Sequence, residues 1–225
     1  MTEHGIIHLT VGALATNCWL VPLEPPGPPA RSRPCAVIDP GDQAPVIIAR
    51  MERLRLYPRM ILLTHGHFDH LAALPDLAAY AQDGVEIAIH PGDADSLGPG
   101  AYSVHQASFA AAGAAAYVEE LWKPLPAPTR LLAEGERIGP FMALHLPGHT
   151  PGSTGLLLEE AGILFSGDTL FQGGVGRTDL PGGDWRLLQA SLQRLAGLDP
   201  ALAVYPGHGP ATAIGAEFAN GAPVN

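Results

Sequence analysis

The densest group of chemically capable side chains lies between positions 65 and 70. Three histidines and one aspartate fall within these six residues, as His65, His67, Asp69 and His70. Imidazole and carboxylate groups are ligands for zinc, iron and manganese. In an extended chain, side chains at positions i and i+2 point the same way. The spacing therefore predicts that His65 and His67 share one metal ion, while Asp69 and His70 turn towards a second.

Three further polar residues, His149, Asp168 and His208, share one local context. Each follows an apolar stretch that reads as a strand, and each stands next to glycine. Glycine allows the backbone to approach an ion closely. Together with the first motif, these residues offer five histidines and two aspartates, which is enough for two metals with an open coordination position. Nitrogen and carboxylate ligands without thiolate predict two divalent ions, with zinc preferred and iron or manganese possible.

The remaining histidines have no other metal-ligand residues in the same local context, and we predict structural roles for them. Among them, His90 comes nearest to the ligand context because it stands at a predicted strand end. The set is His4, His8, His90, His105 and His145.

The elements that must position these residues alternate between strand and helix. An apolar strand from Met60 leads into the first motif, and another, over residues 35–38, ends at Asp39. Apolar residues recur at helical spacing over 43–56, and Asp184 is a predicted N-cap for a helix through Leu198. This alternation predicts a layered α/β sandwich. Residues 91–128 suit a surface helix and connector, or alternatively a lid over a site.

Composition limits the classes of function. The 225 residues are 47% hydrophobic and 15% charged, which predicts a single globular domain over residues 1–225. A net charge of −10 without a Lys/Arg cluster argues against nucleic acid as a partner. Two distant cysteines predict free thiols in a reducing compartment. The N-terminal residues do not resemble a signal peptide, and no apolar run reaches the ~18 residues of a membrane span. We therefore expect a soluble cytoplasmic protein without membrane contact.

The successive motifs resemble those of the metallo-β-lactamase superfamily. The match covers residues 64–70, His149 in Pro-Gly-His-Thr, Asp168 in Ser-Gly-Asp, and His208 in Pro-Gly-His-Gly, with Asp39 in an early Asp-Pro-Gly. The resemblance implies an αββα sandwich of two mixed sheets flanked by helices. It also implies that Asp168 bridges two ions and that Asp39 orients a ligand histidine. The implied ligands are His65, His67 and His149 on one ion, and Asp69, His70 and His208 on the other.

Within this superfamily, residues 170–184 are similar to the glyoxalase II-like hydrolases, especially their compact bacterial branch. Only about 17 residues follow His208. The helical C-terminal extension that helps to hold glutathione in hydroxyacylglutathione hydrolases is therefore expected to be absent. Arg177 and Asp179 are predicted to brace this loop against each other. The sequence itself indicates no substrate-binding residue and no oligomeric state.

The resemblance implies hydrolysis of a small-molecule thioester such as S-lactoylglutathione, by a metal-bridging hydroxide that attacks the carbonyl. Asp69 and Asp168 would be the catalytic carboxylates. The sequence is also similar to persulfide dioxygenases, which would use a single iron on His65, His149 and Asp168, and lactonases remain a further alternative. The sequence of residues 173–184 and the closing Pro-Gly-His-Gly-Pro favour hydrolysis. A binding module without catalysis is not expected to retain all of these ligands.

Overall fold

Two mixed sheets carry most of the strands. The computed structural model describes residues 5–25, 32–81 and 84–219. Within these residues, the first sheet runs in the order β1 (Ile7–Val11), β2 (Thr16–Pro22), β3 (Arg33–Ile38), β4 (Leu56–Leu62), β5 (Glu86–Ile89) and β6 (Arg130–Leu131). From β3 to β6 the neighbours are parallel, and β1 and β2 complete the sheet antiparallel.

The second sheet is built from the later part of the chain. Its strands are β7 (Arg137–Ile138), β8 (Phe141–His145), β9 (Thr154–Leu158), β10 (Ile163–Gly167), β13 (Ala203–Pro206) and β14 (Thr212–Ala213). Their spatial order is β14-β13-β10-β9-β8-β7, and only β10 and β13 are parallel. The strands β11 (Leu170–Phe171) and β12 (Gly174–Val175) form a separate small hairpin.

The helices lie on the two outer faces. They are α1 (Ala44–Leu54), α2 (Leu74–Tyr80), α3 (Ala101–Ala111), α4 (Ala115–Leu121), α5 (Trp185–Ala196) and α6 (Ile214–Phe218). Short 3-10 turns cover Phe68–His70, Pro91–Ser96 and Glu159–Ala161. No helix in the described part of the chain is both long and apolar enough to cross a membrane.

Three apolar layers hold the sandwich together. Between the sheets, Ile38 and Leu62 of the first sheet share a cluster with Phe141 and Phe165 of the second. A second cluster packs the first sheet against α1 to α4. A third packs the second sheet against α5 and α6. The order helix, sheet, sheet, helix confirms the predicted αββα sandwich.

Strand β4 begins four residues before the predicted start at Met60, and it includes Pro58. Proline has no N–H to give to a sheet ladder. The pairing of β3 with β4 accommodates it through a register shift between Cys35 and Ala36, next to the Cys35–Pro58 pair.

Residues 91–128 are more than a surface connector. After the 3-10 turn, α3 and α4 are separated at Gly113, which has a positive φ of 73°. Phe109 and Val118 are buried in the cluster that covers the first sheet. The alanine-rich sequence conceals this role because its few large apolar residues are widely spaced.

Candidate metal centre

The predicted ligands meet where strands of both sheets end. The motif at residues 65–70 follows β4, and Asp39 follows β3. From the second sheet, His149 lies in the loop after β8, Asp168 directly follows β10, and His208 comes two residues after β13. The site is therefore assembled from two sheets rather than from one continuous stretch of chain.

The first ligand group consists of His65, His67 and His149. One ring nitrogen of each lies within 4.8 Å of the others. The closest approach is 2.8 Å, between Nδ1 of His67 and Nε2 of His149. All three side chains are buried. Three converging imidazole nitrogens are a donor set that suits zinc or iron.

The second ligand group consists of Asp69, His70 and His208, whose ligand atoms also lie within 4.8 Å of one another. Nε2 of His70 is 3.2 Å from Nε2 of His208. Oδ2 of Asp69 is 3.3 Å from the same His208 nitrogen. Two nitrogens and one carboxylate oxygen thus converge on a second point.

Asp168 lies between the two groups. Its Oδ2 is 3.6 Å from Nε2 of His149 in the first group and 3.6 Å from Nε2 of His208 in the second. Its Oδ1 is 3.5 Å from Nε2 of His70. One carboxylate thus reaches both groups, as the bridging role implied by the resemblance would require.

Hydrogen bonds away from the site fix which nitrogen of two ligand histidines faces it. Nδ1 of His149 donates to the carbonyl of Arg177 at 2.8 Å, because a carbonyl can only accept. Nδ1 of His70 donates to Oδ2 of Asp39 at 3.1 Å. In both rings Nε2 is left to face the ligand group. Outer partners of this kind orient metal-binding histidines, and the Asp39 contact is the one that the family resemblance implies.

Five buried side-chain polar atoms of the described residues have no hydrogen-bond partner, and two of the five are Nε2 of His65 and Oδ1 of Asp168. Leaving such an atom unpaired costs about 1–3 kcal/mol, so it calls for an explanation. Both atoms belong to the predicted ligand set and lie where its members converge. A bound cation would satisfy them, so the residues present fit a metal.

The electrostatics of the site also favour added positive charge. Burial alone would lower the pKa of His70, but the carboxylates of Asp168 and Asp69 raise it well above its ordinary value. In the first group, burial and the neighbouring His149 lower the pKa of His67 to about 3. His67 is therefore neutral at pH 7 and keeps a lone pair for a metal.

A glycine is required where the β13 loop crosses the site. A Cβ on Gly207 would collide with Oδ1 of Asp168 and would come within 2.6 Å of Cε1 of His70. The backbone before His208 can therefore lie against both ligands only because residue 207 has no side chain.

The ligands face a cavity of about 550 Å³. Its floor includes His67, Asp69, His149, Asp168 and His208. Its walls are largely apolar and include Leu14, Phe109, Ala112, Ala114, Phe171 and Val175. The segment 91–128 thus contributes a wall of this cavity, which is nearer to the lid hypothesis than to a simple connector.

At the edge of the cavity, Arg177 and Asp179 pair as predicted. Nε and one terminal nitrogen of Arg177 each contact a carboxylate oxygen of Asp179 at 2.7 Å. The guanidinium group of Arg177 therefore stabilises its own loop.

The histidines expected to be structural lie outside the ligand groups found among the described residues. His8 contacts Asn17, and His105 donates to the carbonyl of Ser96. The rings of His90 and His145 stack with centroids 3.9 Å apart. His4 lies outside the described residues.

Sequence reasoning did not single out the residues that hold the ligand loops in place. Thr16 donates to Oδ2 of Asp69 at 3.3 Å. Asp93 accepts hydrogen bonds from the segments that carry the first ligand group. The only signal for Asp93 was its position just after a predicted strand, beside Gly92.

Converging histidines and aspartates at the strand ends of an αββα sandwich define a class of metal-dependent hydrolases. The sequence profile described as the Metallo-beta-lactamase superfamily matches residues 11–208. The chain belongs to this superfamily and is a metallo-hydrolase, and its His/Asp clusters indicate divalent metals.

Similar proteins fall into more than one branch of the superfamily. Hydroxyacylglutathione hydrolase GloC of Haemophilus influenzae is 37% identical over 214 residues, which cover 93% of this chain and 92% of the relative. The crystal structure of TTHA1623 in a di-iron-bound form is 38% identical, with a TM-score of 0.79, and the match covers 96% of this chain and 98% of that one. ETHE1 from Myxococcus xanthus is 26% identical, with a TM-score of 0.69 and coverage of 94% and 80%.

Proposed function

We propose that this protein hydrolyses small thioesters, such as S-lactoylglutathione, with the help of two divalent ions. Zinc is the preferred metal. The observation that carries the proposal is the meeting of the two ligand groups at Asp168, on the floor of the cavity. The similarity to GloC, a hydroxyacylglutathione hydrolase, supports the substrate class. The first ion would be held by His65, His67 and His149, the second by Asp69, His70 and His208, and Asp168 would contact both.

When bound, the ions would supply a hydroxide nucleophile at neutral pH and polarise the thioester carbonyl. We assign to Asp69 the role of orienting the attacking water, because its carboxylate lines the cavity and also belongs to the second ligand group. Burial would raise the pKa of Asp69, but His70 and the hydrogen bond from His208 lower it below its ordinary value. Asp69 is therefore an ionised acceptor for a proton of that water.

The chemistry of the cavity wall favours a thioester. Among the described residues that line it, there is no serine, cysteine, tyrosine or lysine that could act as a nucleophile or a general acid. A thiolate, with an ordinary pKa of about 8.5, can leave without a proton donor. The alkoxide released from a lactone is much more basic and would need one. The walls thus favour thioester over lactone substrates.

Replacing the shared carboxylate tests the scheme. Asp168→Ala should abolish thioester hydrolysis and reduce the metal content together, because both ligand groups lose a partner. The measurement is metal analysis of the purified variant beside an S-lactoylglutathione assay. Asp95→Ala is a matched control, since it removes an exposed aspartate that belongs to neither ligand group. Full activity in Asp168→Ala would exclude the two-metal scheme.

A second candidate is a mononuclear iron persulfide dioxygenase that uses His65, His149 and Asp168. TTHA1623, whose structure is of a di-iron-bound form, supports iron as the metal to be tested against zinc but does not support a single ion. Two histidines and one carboxylate are the ligand set of many oxygen-activating iron sites. Oxygen uptake with glutathione persulfide by the iron-loaded protein, without thioester turnover, would replace the hydrolase proposal.

A further inference from the structure

Asp93 is a buried carboxylate that the proposed reaction does not use. It lies on the 3-10 turn Pro91–Ser96, is only 7% exposed, and does not line the 550 Å³ cavity. Its Oδ2 accepts hydrogen bonds from the N–H of Gly66 at 2.8 Å and from the hydroxyl of Thr150 at 2.6 Å. Its Oδ1 accepts from the N–H of Gly152 at 2.7 Å. Asp93 thus joins its own turn to two other loops.

The donors of these hydrogen bonds adjoin the first ligand group. Gly66 stands between His65 and His67, and Thr150 directly follows His149. Asp93 is 27 residues from Gly66 in sequence and 57 from Thr150. One carboxylate therefore joins two loops that the chain itself does not hold together.

The second ligand group is held by other contacts. Asp69 receives a hydrogen bond from Thr16, and His70 donates to Asp39. Among the described residues, no side-chain hydrogen bond of Asp93 reaches Asp69, His70 or His208. The influence of Asp93 is thus directed at one group of the two.

We propose that Asp93 is a positioning residue that sets the separation of His67 and His149, and so the metal affinity of the first ligand group. This inference rests on the proposed two-metal function. Hydrogen bonds to an ionised acceptor are stronger than those between neutral groups. A buried carboxylate also needs hydrogen-bond donors. The turn of Asp93 and the two loops therefore cannot separate without exposing the carboxylate or leaving it without donors.

Two glycines bring the turn that carries Asp93 close against the loop after His149. A Cβ built on Gly152 would lie 2.6 Å from Cγ of Asp93. A Cβ on Gly92 would lie 2.9 Å from the backbone nitrogen of Gly152. The turn that carries Asp93 and the loop after His149 are therefore in direct contact. A change at Asp93 should therefore reach His149 through this contact.

The critical variant is Asp93→Asn, which preserves size but places an NH₂ group where one of the oxygens accepts. At least one of the three donors then faces another donor. The matched control is Asp95→Asn, the same change two residues away on the same turn. Asp95 is exposed and makes no hydrogen bond with the described residues. Thr150→Val is a milder second variant that removes one donor and keeps the carboxylate.

The test is a Co²⁺ titration of the metal-free proteins, followed by visible absorption and by equilibrium metal analysis. Wild type and Asp95→Asn should bind two equivalents. In Asp93→Asn, one equivalent should bind as in wild type and the other on the order of ten-fold more weakly, as for other outer partners of metal ligands. Thr150→Val should weaken the binding of the same equivalent to a smaller extent. If Asp93→Asn does not fold, this variant carries the test. Adding His208→Ala to Asp93→Asn should then weaken the remaining tight equivalent.

Unchanged binding of both ions in Asp93→Asn, or equal weakening of both, would overturn the inference. Binding of fewer than two ions by the wild type would overturn it as well, together with the two-metal proposal. A third result is that the wild type binds two ions and Asp93→Asn weakens the binding of only one, while no thioester is hydrolysed. That result would refute the proposed substrate alone. The two proposals can therefore fail separately.

Discussion

Asp39 shows how much the site demands of a single residue. Its φ is +51°, in the left-handed region that residues other than glycine rarely adopt. Such a conformation costs on the order of 1–3 kcal/mol and persists only where the surroundings enforce it. Here the N–H and hydroxyl of Thr64 and Nδ1 of His70 all donate to its carboxylate. The backbone at the end of β3 is thus held in an unfavourable turn that brings a carboxylate to a ligand histidine.

Gly207→Ala should disable the site without removing any ligand. The new methyl group would collide with Asp168 and crowd His70, so we expect metal affinity to fall by at least ten-fold, as for other changes next to the ligands. Competition with a chromophoric chelator measures the effect. Gly209→Ala is an instructive control, because its Cβ would meet no atom within 4 Å although its φ is positive. Equal metal affinity in wild type and Gly207→Ala would contradict the crowding argument.

The two thiols should be unreactive in the folded protein. Burial raises the pKa of Cys35 to about 12, and burial together with Asp39 raises the pKa of Cys18 well above its ordinary value. At pH 8 only about one Cys35 in 10⁴ would then be a thiolate, the reactive form. Titration with a thiol-specific disulfide reagent should therefore find both cysteines only after denaturant is added. Rapid reaction of either in native protein would show that the strand carrying it opens readily.

Residue types and spacing predicted which side chains come together. A cluster of histidines and aspartates next to glycine at strand ends has few functions other than metal binding. They did not predict the atoms. That His67 presents Nδ1 while His149 presents Nε2 depends on a contact across 82 residues. The role of Asp93 likewise depends on three partners in two distant loops. Such contacts are set by packing, which single-residue patterns do not encode.

At the scale of elements, strands buried on both faces were the most predictable part. β3 and β9 are almost continuously buried, which gives the apolar runs that the sequence displays. The pairing of β4 from Leu56 was missed, because a register shift accommodates Pro58 in a way that composition does not reveal. For residues 91–128 the sequence left open a surface connector or a lid over a site, because helix propensity does not say what a helix covers.

The N-cap of α5, predicted from sequence, is confirmed. Asp184 accepts hydrogen bonds from the N–H groups of Arg186 and Leu187. Asp184→Ala should cost about 1 kcal/mol of the free energy of unfolding. For a protein of this size the melting temperature should fall by about 2–4 °C. Thermal denaturation followed by circular dichroism is the measurement, with the exposed Glu160→Ala as a control within about 0.5 kcal/mol of wild type. A fall of the same size in both variants would count against the cap.

At the scale of the whole molecule, the centre joins the two sheets. His65, His67 and Asp69 follow the first sheet, whereas His149 and Asp168 follow strands of the second. Metal bound only by the folded state stabilises it by mass action, by about 2.7 kcal/mol when the free ion is at 100 times its dissociation constant. The stability of the sandwich and the occupancy of the site are therefore linked.

Metal removal should accordingly lower the melting temperature of the whole domain in one transition. Chelator-treated protein should melt several degrees below the zinc-loaded form, and the difference should grow with the zinc concentration. Calorimetry of the two forms is the measurement. Asp168→Ala should show little or no rise when zinc is added. A rise of the wild-type size in that variant would mean that zinc binds elsewhere.

The last ligand is held by one of the first strands. Thr16 forms an isolated bridge with His208, and the side-chain amide of Asn17 donates to the carbonyls of Pro206 and Gly209. During translation, β2 leaves the ribosome long before its partner loop has been made. The histidines of the first motif emerge early, but the second ligand group cannot be complete until residue 208 has emerged. Both ions can therefore be held by the complete set of seven residues only after the last of them has left the ribosome.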